Sequence, residues 1–76
     1  MPTSPIRTVE ITDESIRLGQ FLKLADLAED GTHARELLEE GEVEVNGRLE
    51  LRRGRQLIDG DVVAVDGKQV RLAART

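Results

Sequence analysis

Residues 41–55 read GEVEVNGRLELRRGR, and this stretch decides the fold. Val43 and Val45 alternate with Glu42 and Glu44, Asn46-Gly47 supplies a turn, and Leu49 continues the alternation between Arg48 and Glu50. Asn-Gly between alternating apolar residues is a strong hairpin signal, because the tightest turns need positive φ at both central positions. The register places Val43 and Val45 in the core and Glu42 and Glu44 in solvent. Arg48 follows the turn directly, and Arg52, Arg53 and Arg55 cluster around Gly54. A rigid two-stranded scaffold thus carries concentrated positive charge, a suitable grip for a polyanion.

Working outward, Arg7 to Thr12 alternates with Val9 and Ile11 on one face and predicts a short strand. Thr12, Asp13 and Ser15 offer capping oxygens for a first helix. Leu18, Phe21, Leu22 and Ala25 recur at helical spacing, with Leu24 and Leu27 expected to pack where that helix ends. Asp30-Gly31-Thr32 starts a second helix whose apolar face is Ala34, Leu37 and Leu38, and Gly41 stops it. After the Asn46-Gly47 hairpin, Leu57 and Ile58 return to the core. Val63 and Val65, then Val70 and Leu72, flank Asp66-Gly67 as a second hairpin. Strand, helix, helix and a run of strands make an α+β fold. Residues 1–6 read as a disordered tail and residues 7–76 as a single domain.

Composition excludes several functions. At 76 residues the chain buries only about 60% of its unfolded surface, so its core is thin. Without cysteine there is neither a disulfide nor a thiolate site, and the lone His33 cannot build a metal site or a triad by itself. No apolar run approaches the ~18 residues that span a bilayer, and the first residues lack the basic-then-apolar order of a leader. The expectation is a soluble, cytoplasmic, monomeric, non-enzymatic protein with no cofactor, no metal and no membrane association.

The net charge of −4 hides a segregation. Residues 26–44 hold Asp26, Glu29, Asp30, Glu36, Glu39, Glu40, Glu42 and Glu44 against the single base Arg35, whereas residues 48–55 hold four arginines against Glu50. Local field governs binding, not the sum.

The blocks Arg17-Leu18, Phe21-Leu22, Ala34-Arg35-Glu36-Leu37-Leu38, Gly41-Glu42-Val43-Glu44-Val45-Asn46-Gly47 and Gly60-Asp61-Val62-Val63, in this order and spacing, resemble the S4-like RNA-binding domain. Leu18 to Leu24 and Arg52-Arg53-Gly54-Arg55 are similar to its small stand-alone bacterial subgroup. The resemblance implies an alpha-L type fold: two helices on a small, mainly antiparallel sheet with an N-terminal strand and a C-terminal hairpin. It also implies a structured RNA partner, ribosomal or transfer RNA, and through it the ribosome. Carried onto this chain, the family's contacts fall on Thr32, His33 and Arg35, on Asn46, Gly47 and Arg48, and on Arg52, Arg53 and Arg55. Two positions depart from the family pattern. Gly19 stands where an acid commonly follows Arg-Leu, and Asp30-Gly31-Thr32-His33 replaces a Ser-Arg-Ser-like opening of the second helix, shifting weight onto the arginines after the turn.

Each of these residues also has a plainer role. The arginines could balance Glu42, Glu44 and Glu50 across the hairpin. Arg35 could pair with Glu39 one helical turn on, a contribution of only ~0.3–0.5 kcal/mol. His33 could simply be solvated, and Asn46-Gly47 is required by the turn whatever binds. The acids of the second helix form an outward face that keeps the domain soluble, or that serves a protein-interaction adaptor. Guanidinium forks match phosphate oxygens bidentately, which favours the binding reading of the arginines. With no Trp or Tyr, and Phe21 in the core, no aromatic platform exists for single-strand stacking, so folded RNA is the expected ligand.

Overall fold

The computed structural model describes residues 6–75, so the expected tail lies outside the described residues except for the exposed Ile6. In chain order the elements are β1 (Arg7–Ile11), β2 (Ser15–Arg17), α1 (Leu18–Leu24), α2 (Gly31–Glu39), β3 (Val43–Val45), β4 (Arg48–Leu49), β5 (Gln56–Ile58), β6 (Val62–Val65) and β7 (Lys68–Ala74). Five strands form one sheet in the order β1-β7-β6-β3-β4, antiparallel throughout except for the parallel β1–β7 pair. β2 and β5 form a separate antiparallel ribbon.

Both expected hairpins form for the expected reason. Asn46 and Gly47 take φ of 54° and 83°, and Asp66 and Gly67 take 51° and 80°, the left-handed values that a two-residue turn demands. Val43 and Val45 of β3, Val63 and Val65 of β6, and Val70 and Leu72 of β7 all face inward. Leu18, Phe21, Leu22 and Ala25 meet them from α1, and Ala34, Leu37 and Leu38 from α2. Gly41, at φ 73°, ends α2 as expected.

Six side chains depart from the sequence reading. Thr12, Asp13 and Ser15 cap nothing: residues 15–17 are a strand paired with residues 56–58, and α1 starts at Leu18 with no side-chain cap. Leu24 is 52% exposed, because one helical step of about 100° takes it off the stripe that ends at Ala25. Ile58 is 59% exposed, since strand alternation sends Leu57 inward and its neighbour outward. Leu49 is exposed for a related reason. A two-residue turn sets Val45 opposite Arg48 and Glu44 opposite Leu49, so Leu49 shares the solvent face with Glu44. The same register turns Glu50 inward.

Candidate functional site

Glu50 is the one buried charged residue among those described, 7% exposed. Its N–H donates to the Val43 carbonyl at 3.0 Å, extending the β3–β4 ladder and fixing where its carboxylate points. That carboxylate organises the arginine-rich turn. Oε2 accepts from the Arg52 backbone N–H at 3.0 Å and from Arg52 Nε at 3.2 Å, while Oε1 accepts from Arg55 Nη1 at 2.8 Å. Hydrogen bonds from Arg55 and then Arg52 hold the Glu50 pKa down to about 2, well below its ordinary 4.5.

The far side of the turn is fastened to a helix. The first N–H groups of a helix have no partner within it, and here the loop backbone supplies one. Leu18 N–H donates to the Arg55 carbonyl at 2.8 Å and Gly19 N–H to the Arg53 carbonyl at 3.0 Å. The arginine loop is therefore the cap of α1, which explains why no capping side chain precedes it. Gly19 is what allows the close approach. A Cβ there would lie 2.5 Å from Arg53 Cγ and 3.2 Å from its Cδ, so the Arg53 stem crosses the helix where a side chain would stand.

Arg53 thereby reaches an open groove of about 760 Å³ between α1, the start of α2 and the loop. Arg17, Gln20 and Lys23 line it from one side, Thr32 and Arg35 from the other, and Arg53-Gly54 from above. Arg17, Lys23, Arg35 and Arg53 have no carboxylate partner among the described residues. The groove's one acid, Asp30, is engaged in capping α2, where its Oδ1 accepts from His33 N–H at 2.8 Å. Four uncompensated cations thus converge in a domain of net charge −4.

Of the nine residues singled out from the sequence, Thr32, Arg35 and Arg53 line this groove. Arg35 forms no ion pair with Glu39. His33 is half-buried, and its Nδ1 accepts from the Glu29 N–H at 3.0 Å, a reciprocal brace with the Asp30 cap. The Asn46 side chain is also committed: Nδ2 donates to Asp61 Oδ1 at 3.0 Å and Oδ1 accepts from Val62 N–H at 2.9 Å. Gly47 and Arg48 are exposed at the hairpin tip, away from the groove. Arg52 has a side chain 77% exposed despite its bond to Glu50, whereas that of Arg55 is only 33% exposed.

Arg17 and Lys23 went unrecognised in the sequence. A signal existed: Gln20 and Lys23 are three apart on the face of α1 opposite its apolar stripe, with Arg17 just before. They supply the helix-side charge that the altered opening of α2 lacks. The exposed acids Glu36, Glu39, Glu40 and Glu42 do not line the groove. The neighbouring Glu42 carboxylate, by accepting a hydrogen bond from protonated Glu40 and by its like charge, pushes the Glu40 pKa up.

Residues 9–73 match the S4 domain family. The chain is 51% identical over 59 residues to a probable ribosome maturation protein, RlbA, of Bacillus subtilis strain 168, covering 78% of this chain and 83% of that protein. It is 44% identical over 54 residues to the small ribosomal subunit protein uS4m of Schizosaccharomyces pombe, spanning 71% of this chain but only 16% of that much longer protein. Among solved structures, the solution structure of E. coli YbcJ, described as having an alpha-L motif involved in RNA binding, superposes with a TM-score of 0.71 at 28% identity, covering 97% of this chain and 95% of that one. The 30S ribosomal protein S4e of Thermoplasma acidophilum gives 0.60 at 25% identity over 79% of this chain and 32% of its own.

Proposed function

The chain belongs to the S4 domain family, and we propose that it is a non-catalytic module that grips structured RNA, ribosomal or transfer, in the groove between α1, α2 and the arginine loop. The observation that carries this reading is the convergence of Arg17, Lys23, Arg35 and Arg53, none of them neutralised by a carboxylate among the described residues, in an acidic domain. Arg35, Arg53 and Arg17 would take phosphates through their guanidinium forks and Lys23 as a point charge. Thr32, at the start of α2, adds a hydroxyl where helix amides favour anions. Arg48 and Arg52 extend the contact from the rim, with Gly47 allowing close approach at the hairpin tip. His33, Asn46 and Arg55 hold the frame.

The similarity to a probable ribosome maturation protein and to ribosomal proteins of the small subunit favours an RNA of the ribosome as the ligand. Among the described residues no helix is long and apolar enough to cross a membrane; the protein is proposed to work as a cytoplasmic monomer.

A competition at physiological salt tests the proposal. A folded ribosomal or transfer RNA fragment should outcompete an unstructured strand of equal length, because a stem presents phosphates at fixed spacing while a flexible strand must first be ordered. Binding through about four cations should weaken with salt on a log–log slope of roughly −3 to −4. Equal affinity for the two RNAs would overturn the reading.

A further inference from the structure

Three arginines sit in the turn after the hairpin, yet they are not equivalent. Arg53 faces the groove with no carboxylate partner among the described residues, while Arg52 and Arg55 share the two oxygens of one buried carboxylate. We propose that Glu50 is a specificity-determining positioning residue: it withdraws charge from the loop and holds the loop's backbone in one shape, so that the domain prefers folded RNA over any polyanion. The inference rests on the RNA-binding reading above and asks how that same site discriminates.

The geometry supports both halves. Glu50 binds the Arg52 backbone N–H as well as the two guanidinium groups, so it fixes the chain and not merely the side chains. The same turn then hands its Arg53 and Arg55 carbonyls to the start of α1. The position of Arg53 over Gly19 follows from a loop tied at both ends. Electrostatically, Glu50 with Arg52 and Arg55 sums to a single positive charge where two arginines alone would give two. Affinity for an arbitrary polyanion follows the number of free cations, whereas discrimination between shapes depends on holding those cations at fixed spacing. A buried anion inside an arginine loop lowers the first and raises the second.

The test measures wild type and Glu50→Gln against three probes over a range of salt: a folded ribosomal stem–loop, an unstructured strand of equal length, and heparin. Glutamine keeps the shape and one acceptor but removes the charge. The variant should bind the strand and heparin more tightly, with a log–log salt slope steeper by about one, and its preference for the stem–loop should fall roughly tenfold. A preference and slope equal to those of wild type would overturn the proposal, as would equal losses on all three probes that track a lower melting temperature. Should Glu50→Gln not fold, Arg52→Ala and Arg53→Ala decide instead. Arg52 lies outside the groove with its Nε held by Glu50, so its loss should flatten the slope clearly less than loss of Arg53, which should flatten it by about one. Equal flattening by both would overturn the role of Glu50. Wild type that binds no probe overturns the RNA reading with it, which separates that failure from the failure of Glu50 alone.

Discussion

Asn46 and Asp61 are joined side chain to side chain, Nδ2 donating to Oδ1 at 3.0 Å across fifteen residues of chain. Asn46 is also tied to the residue after Asp61, and Asp61 to the start of its own turn. Asn46 Oδ1 accepts from Val62 N–H, and Asp61 Oδ2 accepts from Ile58 N–H at 2.9 Å. The Asn-Gly turn and the Gly-Asp turn, separate in the sequence, are one hydrogen-bonded unit that sets β3 against β6.

Replacing either residue with Ala should therefore cost about 1–2 kcal/mol of stability, more than an exposed polar side chain usually does. The double variant should cost less than the sum, since each single change already breaks the shared bond. Thermal or denaturant melts of the four proteins provide the check, and additivity would mean that the two turns are independent.

The Glu50 carboxylate predicts an acid-sensitive contribution. Its pKa is lowered in the folded protein to about 2 from the ordinary 4.5, so its stabilisation is present above pH 4.5 and is lost as pH falls through about 2. Glu50→Gln should be less stable than wild type near neutrality by about 1–3 kcal/mol. The gap should narrow as pH drops below 4.5 and close towards pH 2. Melting temperatures measured across that range give the answer, and a gap that does not change with pH would place the stabilisation elsewhere.

Gly19→Ala sets two effects against each other. Alanine favours the helix by about 1 kcal/mol over glycine, but its Cβ would meet the Arg53 stem at 2.5 Å. The variant should fold with a near-normal melting temperature while Arg53 is pushed from the groove and RNA affinity falls several-fold. In an Arg53→Ala background the obstacle is gone, and the same substitution should raise stability without further loss of binding. A drop in stability in both backgrounds would mean that the backbone, not the Arg53 side chain, needs the space.

Register supplies the sharpest stability contrast. Val45 is fully buried and Glu44 beside it is exposed. Val45→Asp leaves an unpaired charge in a thin core and should unfold the domain, while Glu44→Lys should change stability by less than about 0.5 kcal/mol. Circular dichroism of the two variants at one temperature distinguishes them.

Periodicity and turn chemistry made most of the fold legible. Asn46-Gly47 and Asp66-Gly67 announce their own backbone angles, and the stripe from Leu18 to Ala25 announces a helix. β2 was hidden because three residues carry no period, and because Thr12, Asp13 and Ser15 look like caps. What replaces those caps is the loop backbone of Arg53 and Arg55, which no local pattern records. Glu50 was legible in principle: a two-residue turn that pairs Val45 with Arg48 must bring residue 50 to the inner face with Val43. Counted as one acid among four arginines, it looked like surface. The groove was half legible, through Thr32, Arg35 and Arg53, since its other wall depends on how α1 packs against α2.

β1 lies at the outer edge of the sheet and runs parallel to β7, with Arg7 beside Val70 and Ile11 beside Ala74. Nearly all of the described chain must be gathered before this pair can form. Closing so long a loop carries an entropic cost that local turns avoid, and folds that rely on such pairings assemble slowly. During synthesis, a chain that had not yet produced β7 would hold β6 with no neighbour on that side, and Val9 and Ile11 with no strand to join. The hairpin and the helices can form early, but the core closes only when the later strand admits the earlier one.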